Sequence, residues 1–185
     1  MKSPISLSQK GFTKREIERL LAVAPMESKC LVIFGLYSGL RLGDLRSLRW
    51  RNISEDSMTV KVEKLRSIAH IPIGKALKSC IAKMHRGRPN DLVFPFYGKS
   101  SGLGEAQGQF LEFLKLAKLG GPRNSRTGFR NLRLTFAQWL CRAGTPLSVC
   151  MDLLGIRDQS IRKRLSPLSL EMKRNAIDSV PKIYI

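Results

Sequence analysis

The side chains in this sequence that could do chemistry are mostly guanidinium and ammonium groups. They gather at 46–51, 122–133 and 157–164, with a smaller group at 61–66. Such groups hold a phosphate and stabilise charge on its oxygens, but arginine cannot exchange a proton near neutral pH. Proton-exchanging groups are scarce, since the only two histidines, His70 and His85, lie far apart. Four cysteines, Cys30, Cys80, Cys141 and Cys150, include no CxxC pair, so no metal site of the usual zinc spacing is expected, and no cofactor either. Cys30, Cys141 and Cys150 stand among apolar neighbours and read as core thiols of a reducing compartment. The possible phenol nucleophiles are Tyr37 in an apolar helical stretch, Tyr97 beside a Gly/Ser-rich loop, and Tyr184 in the C-terminal tail.

The charge balance narrows the partner. Thirty-three Lys and Arg against 14 Asp and Glu give a formal +19 in 185 residues. A surface that self-repelling needs a counter-charge, and nucleic acid is the commonest one. An anionic membrane surface, a ribosomal location, RNA or an acidic protein would also meet the requirement. No N-terminal segment has the apolar stretch of a signal peptide, and the longest apolar stretch, 30–36, is too short to span a bilayer. The expectation is an intracellular protein, cytoplasmic and nucleoid-associated or nuclear, with no membrane partner.

The elements that must position these groups are mainly helices. Thr13 with Glu16 three residues on is a helix start, followed by an apolar face of Ile17, Leu20, Leu21 and Val23 that Pro25 ends. A buried helix over 27–38 ends at Gly39, and a short one follows over 42–48. The period then changes to two at 58–62 and 68–73, predicting paired strands with a basic turn at 63–67. Further helices are predicted over 75–84, 107–119, 131–143, 147–154 and 169–179, with 98–105 and 120–128 as loops. The fold class is α+β, mainly α: a helical bundle with one small antiparallel sheet. A length of 185 residues suits one domain, with 1–11 a polar leader and 169–185 a C-terminal helix and apolar tail. That tail packs either on its own domain or on another copy.

Two motifs carry a resemblance. The run Ser38-Gly39-Leu40-Arg41-Leu42-Gly43-Asp44-Leu45-Arg46-Ser47-Leu48-Arg49-Trp50 resembles the first arginine motif of tyrosine recombinases and phage integrases. The run Arg130-Asn131-Leu132-Arg133-Leu134-Thr135-Phe136-Ala137 resembles the second, and Leu153-Leu154-Gly155 the lead-in to the third. The resemblance covers about 12–168 and implies the fold of that family's catalytic half, with no N-terminal core-binding domain. It implies that Arg41 and Arg133 face a DNA phosphate and that Asp44 supports a helix start. It places Lys64 where the family keeps a lysine that protonates the leaving oxygen. Arg66, Arg123, Arg126 and Arg130 would extend the phosphate-binding surface on double-stranded DNA.

The same resemblance implies losses. The family cuts DNA by tyrosine attack on a phosphate, assisted by histidines. Here the first histidine position holds Arg130, the second holds Ile156, and the tyrosine position nine residues on holds Leu165. The resemblance therefore implies a DNA-binding protein that has lost strand cleavage and acts in regulating transcription, a mobile element or recombination. The alternative is an active recombinase that uses Tyr184 as a displaced nucleophile.

Overall fold

Thr13 starts the first helix as its hydroxyl spacing requires. Its Oγ1 accepts the Glu16 N–H at 3.3 Å, while the Glu16 carboxylate accepts the Thr13 N–H at 2.7 Å. The resulting α1 (Lys14–Val23) buries Ile17, Leu20 and Leu21. Val23, expected on that face, lies off it and is exposed. The computed structural model describes residues 11–62, 67–98, 102–119, 128–156 and 168–185.

Helix α2 (Met26–Ser38) is buried all round from Cys30 onward and runs through the middle of the protein, packed against α4 (Lys75–Ala82) and α7 (Arg130–Arg142). Gly35 permits the approach of α7, because a Cβ there would stand 2.5 Å from the Phe129 ring. Gly39 ends α2 in the left-handed region, at φ 63°. A short α3 (Leu42–Arg46) and a single 3-10 turn at Trp50–Asn52 lead to β1 (Ser57–Val62) and β2 (Ser67–Pro72). The strands pair antiparallel, Met58 opposite Ile71 and Val60 opposite Ala69. Met58, Val60 and Ile71 are buried, while Lys61, Ile68 and His70 face solvent. The chain continues through α4, α5 (Pro95–Gly98), α6 (Leu103–Leu116), α7, α8 (Leu147–Leu153) and α9 (Leu170–Ser179).

Three expectations are corrected. Helix α6 begins at Leu103, inside the stretch expected to be loop. Its Gly104 and Gly108 face open space, so glycine there costs propensity without disturbing packing. Cys141 is exposed whereas Cys80 is buried with Cys30 and Cys150, because helical phase and not sequence neighbourhood decides the face. Gly11, expected in the leader, is buried, and its N–H donates to Gln138 Oε1 at 3.2 Å. The adjoining Phe12 N–H donates to Thr135 Oγ1 at 2.7 Å.

The C-terminal segment is fastened to its own domain. Asp178 Oδ1 accepts the Lys75 N–H at 2.9 Å and so caps α4. Lys173 pairs with Asp152 of α8 at 2.5 Å, and Arg174 with Asp56 at 3.4 Å. Beyond α9, Val180 and Ile183 are buried. The Tyr37 hydroxyl donates to the Pro181 carbonyl at 2.8 Å and accepts the Ile183 N–H at 2.7 Å. Burial pushes this phenol well above its usual pKa, so it stays a donor. Tyr37→Phe keeps the ring and strands both tail groups. We expect a loss of about 1–3 kcal/mol, read as a lower melting temperature and faster hydrogen exchange at the Ile183 amide.

Candidate phosphate-binding site

The site is built where α2 ends, α3 begins and α8 ends. The left-handed turn at Gly39 swings the chain so that Arg41 stands at the α3 N-terminus. Asp44, only 4% exposed, fixes it there. Its Oδ2 accepts the Arg41 N–H at 3.3 Å and lies 4.0 Å from Arg41 Nη1. An acid in the first helical turn also suits the helix dipole.

Arg133 comes from the first turns of α7 and reaches between two helix C-termini. Its Nη1 donates to the Gly39 carbonyl at 2.6 Å, and its Nη2 donates to the Leu154 carbonyl. Gly39 closes α2 and Leu154 closes α8, so both carbonyls belong to the partly negative ends of helices, where intrahelical partners run out. A half-buried guanidinium is thereby held by two backbone carbonyls. Its pKa still falls to about 10, first through burial and then through repulsion by Arg41, with Asp44 opposing and Arg130 adding to the fall. Arg133 remains charged at neutral pH.

Arg130 lies one turn before Arg133, exposed at the α7 N-terminus. Arg41 and Arg130 both lie near enough to Arg133 to repel its charge, Asp44 pairs with Arg41, and an added charge that would balance the three guanidinium groups is an oxyanion. Ile156, half-buried against the core, follows Leu154 by two residues and is tied by its N–H to the Met151 carbonyl at 2.8 Å. It brings an apolar side chain with no polar atom to the segment that holds Arg133. The structure thus brings together Arg41, Asp44, Arg130 and Arg133, with Ile156 close by in the chain. Lys64, Arg66, Arg123, Arg126 and Leu165 lie outside the described residues.

The tyrosines divide. Tyr37 and Tyr97 are buried, and the Tyr97 hydroxyl is 2.6 Å from Ser28 Oγ, so its ring belongs to the core and not to the neighbouring loop. Tyr184 is 54% exposed. Its flanking residues are held by Tyr37, through the Ile183 N–H, and by Lys83 at the end of α4, which donates to the terminal main-chain oxygen of Ile185. Sequence reasoning placed Arg133 at the site but missed its two carbonyl acceptors. The only signal for one of them was the glycine at a helix C-cap. Among the described residues no group of three or more His, Cys, Asp or Glu could hold a metal ion, and no helix is long and apolar enough to cross a membrane.

The sequence profile of the phage integrase family matches residues 10–164, which contain every element of this site. The chain belongs to the phage integrase family. It is 26% identical over 180 residues to the integrase of Salmonella phage P22, covering 89% of this chain and 46% of that one. This phage-integrase-family chain thus spans about half the length of the curated relative it matches. Among solved structures, the integrase of mycobacterium phage Brujita superimposes with a TM-score of 0.72 at 20% identity, over 97% of this chain and 60% of that one. A lambda integrase dimer bound to a COC′ core site gives 0.67 at 16% identity, over 86% and 60%. The mainly helical fold with its two-stranded sheet is the architecture these integrases share.

Proposed function

We propose that this integrase-family protein binds double-stranded DNA by its phosphates, does not cut it, and acts as a regulator of transcription, of a mobile element or of recombination. The observation that carries the reading is the arginine cluster. Arg41 and Arg130 stand close enough to Arg133 to lower its pKa, with Asp44 beside Arg41, and an arginine offers charge and hydrogen bonds without proton exchange. Fixed cations stabilise charge on phosphate oxygens, but transesterification also needs a nucleophile and groups that move protons. By position in the family motifs those places hold Arg130, Ile156 and Leu165. The lambda relative bound to its core site supports duplex DNA as the ligand.

A second reading, an active recombinase using Tyr184, is favoured by one observation: it is the one exposed phenol of the three tyrosines. The tail contacts to Tyr37 and Lys83 speak against delivery to Arg133. The test has two steps. Genomic fragments retained by the protein are selected and sequenced, which separates a sequence-specific regulator from a passive binder. A nicked suicide duplex carrying the selected site is then incubated with wild type and Tyr184→Phe, and covalent complexes are sought on denaturing gels. Neither protein should form one. An adduct in wild type that disappears in Tyr184→Phe would overturn the inactive reading.

A further inference from the structure

The opposite end of α2 carries a cavity that the phosphate site does not use. It is an open cleft of about 670 Å³ between the first turns of α2 and the segment 83–95. Its apolar lining includes Cys30, Trp50, Met84, Leu92 and Val93. One wall is stapled by backbone: Trp50 N–H to the Asp91 carbonyl at 3.1 Å, Arg51 N–H to Pro89 at 2.8 Å and Val93 N–H to Leu48 at 2.9 Å. A cavity so walled is preformed and of ligand-binding size.

Cations outnumber acids around its rim. Arg49 and Lys83 line it, and Arg86 and Arg88 follow in the same segment. Its two acids are already engaged: Glu27 accepts the Phe96 N–H at 2.9 Å, and Asp91 accepts the Arg88 N–H at 2.8 Å. Arg49 spends one of its five donors on the Asn90 carbonyl, and Lys83 one of its three on the terminal main-chain oxygen of Ile185. The lip is apolar and exposed. Met26, 50% exposed, lines the cavity, and Phe96, 54% exposed, adjoins the lining residue Pro95.

We propose that this cavity docks an acidic peptide segment of a protein partner, which buries one large apolar side chain against Met84 and Trp50 and sets its carboxylates on Arg49 and Lys83. An apolar floor under a cationic rim fits that chemistry better than a duplex backbone, which offers charge and no apolar side chain. The inference stands apart from DNA binding in space as well. Thirteen residues of α2 separate the cavity from the Gly39 end by roughly 20 Å, so both partners fit at once.

The probe is a fluorescein-labelled nonapeptide with one phenylalanine flanked by glutamates, followed by anisotropy. A second peptide replaces the phenylalanine by serine. The first should bind at least about tenfold more tightly, the size expected from burying an aromatic side chain. Met84→Glu should abolish that difference, and Lys83→Glu should weaken both peptides. Retention of duplex DNA by Met84→Glu reports folding and keeps the two proposals separable. The inference is overturned if the two peptides bind alike, which is generic attraction to a +19 surface, or if neither binds. It is equally overturned if a single-stranded oligonucleotide competes at the cavity in wild type but not in Met84→Glu, which would make the cavity a nucleobase pocket.

Discussion

Arg133→Ala should melt several degrees below wild type and retain little duplex DNA. The substitution leaves the Gly39 and Leu154 carbonyls without their donor. Each stranded group costs about 1–3 kcal/mol. Part of that is offset, because the cation is desolvated and repelled by Arg41 and Arg130. A net loss of about 2 kcal/mol corresponds to roughly 4–8 °C for a domain of this size. Arg133→Lys separates the roles, since a lysine keeps the charge but lacks the planar fork that reaches two carbonyls. It should recover more binding than stability. The pH dependence follows from the sign of the shift. Arg133 has its folded-state pKa lowered to about 10 from its usual value, so the penalty on its charged form is present in full below about pH 10 and is relieved only above it. The stability gap between wild type and Arg133→Ala should therefore stay constant from about pH 6 to 9. A gap that changes with pH in this range would assign the effect to another group.

Duplex affinity should fall by about a thousandfold between roughly 50 and 200 mM salt if some six phosphates are contacted, because counterion release dominates such binding. Arg41→Ala and Arg130→Ala should each weaken binding on every sequence and reduce the slope of log K against log salt by about one. Their effects on stability should be small beside that of Arg133→Ala, since Arg130 is exposed and the Arg41 side chain is 37% exposed. A flat salt response would remove phosphate contact as the source of affinity.

Much of this was legible in the sequence, for physical reasons that differ by element. The α1 start was legible because a capping box is local: Thr13 and Glu16 satisfy each other within one turn. The strand pair was legible because the period of two places Met58, Val60 and Ile71 on one face. The start of α6 was not, since Gly102 and Gly104 read as loop and only the open space around Gly104 explains their tolerance. Cys141 and Val23 were misplaced because apolar neighbours in sequence do not specify helical phase. The motifs singled out Arg41 and Arg133, and the fold sets them close enough to repel one another. The grip on Arg133 was hidden, because its acceptors are backbone atoms lying 94 and 21 residues away.

Those separations also govern how the molecule comes into being. Phe12 is tied to a side chain 123 residues downstream, and Tyr37 to an amide 146 residues downstream. Contacts between such distant partners close large loops before they repay the entropy, so folding should be slow for a helical protein. On the ribosome, α2 emerges long before the α7 that covers it, and the amide that Tyr37 receives follows it by 146 residues. The central helix, apolar from Cys30 to Leu36, must wait in the open during synthesis. A nascent chain stalled before residue 133 holds no assembled arginine cluster, and the waiting helix is where aggregation would begin.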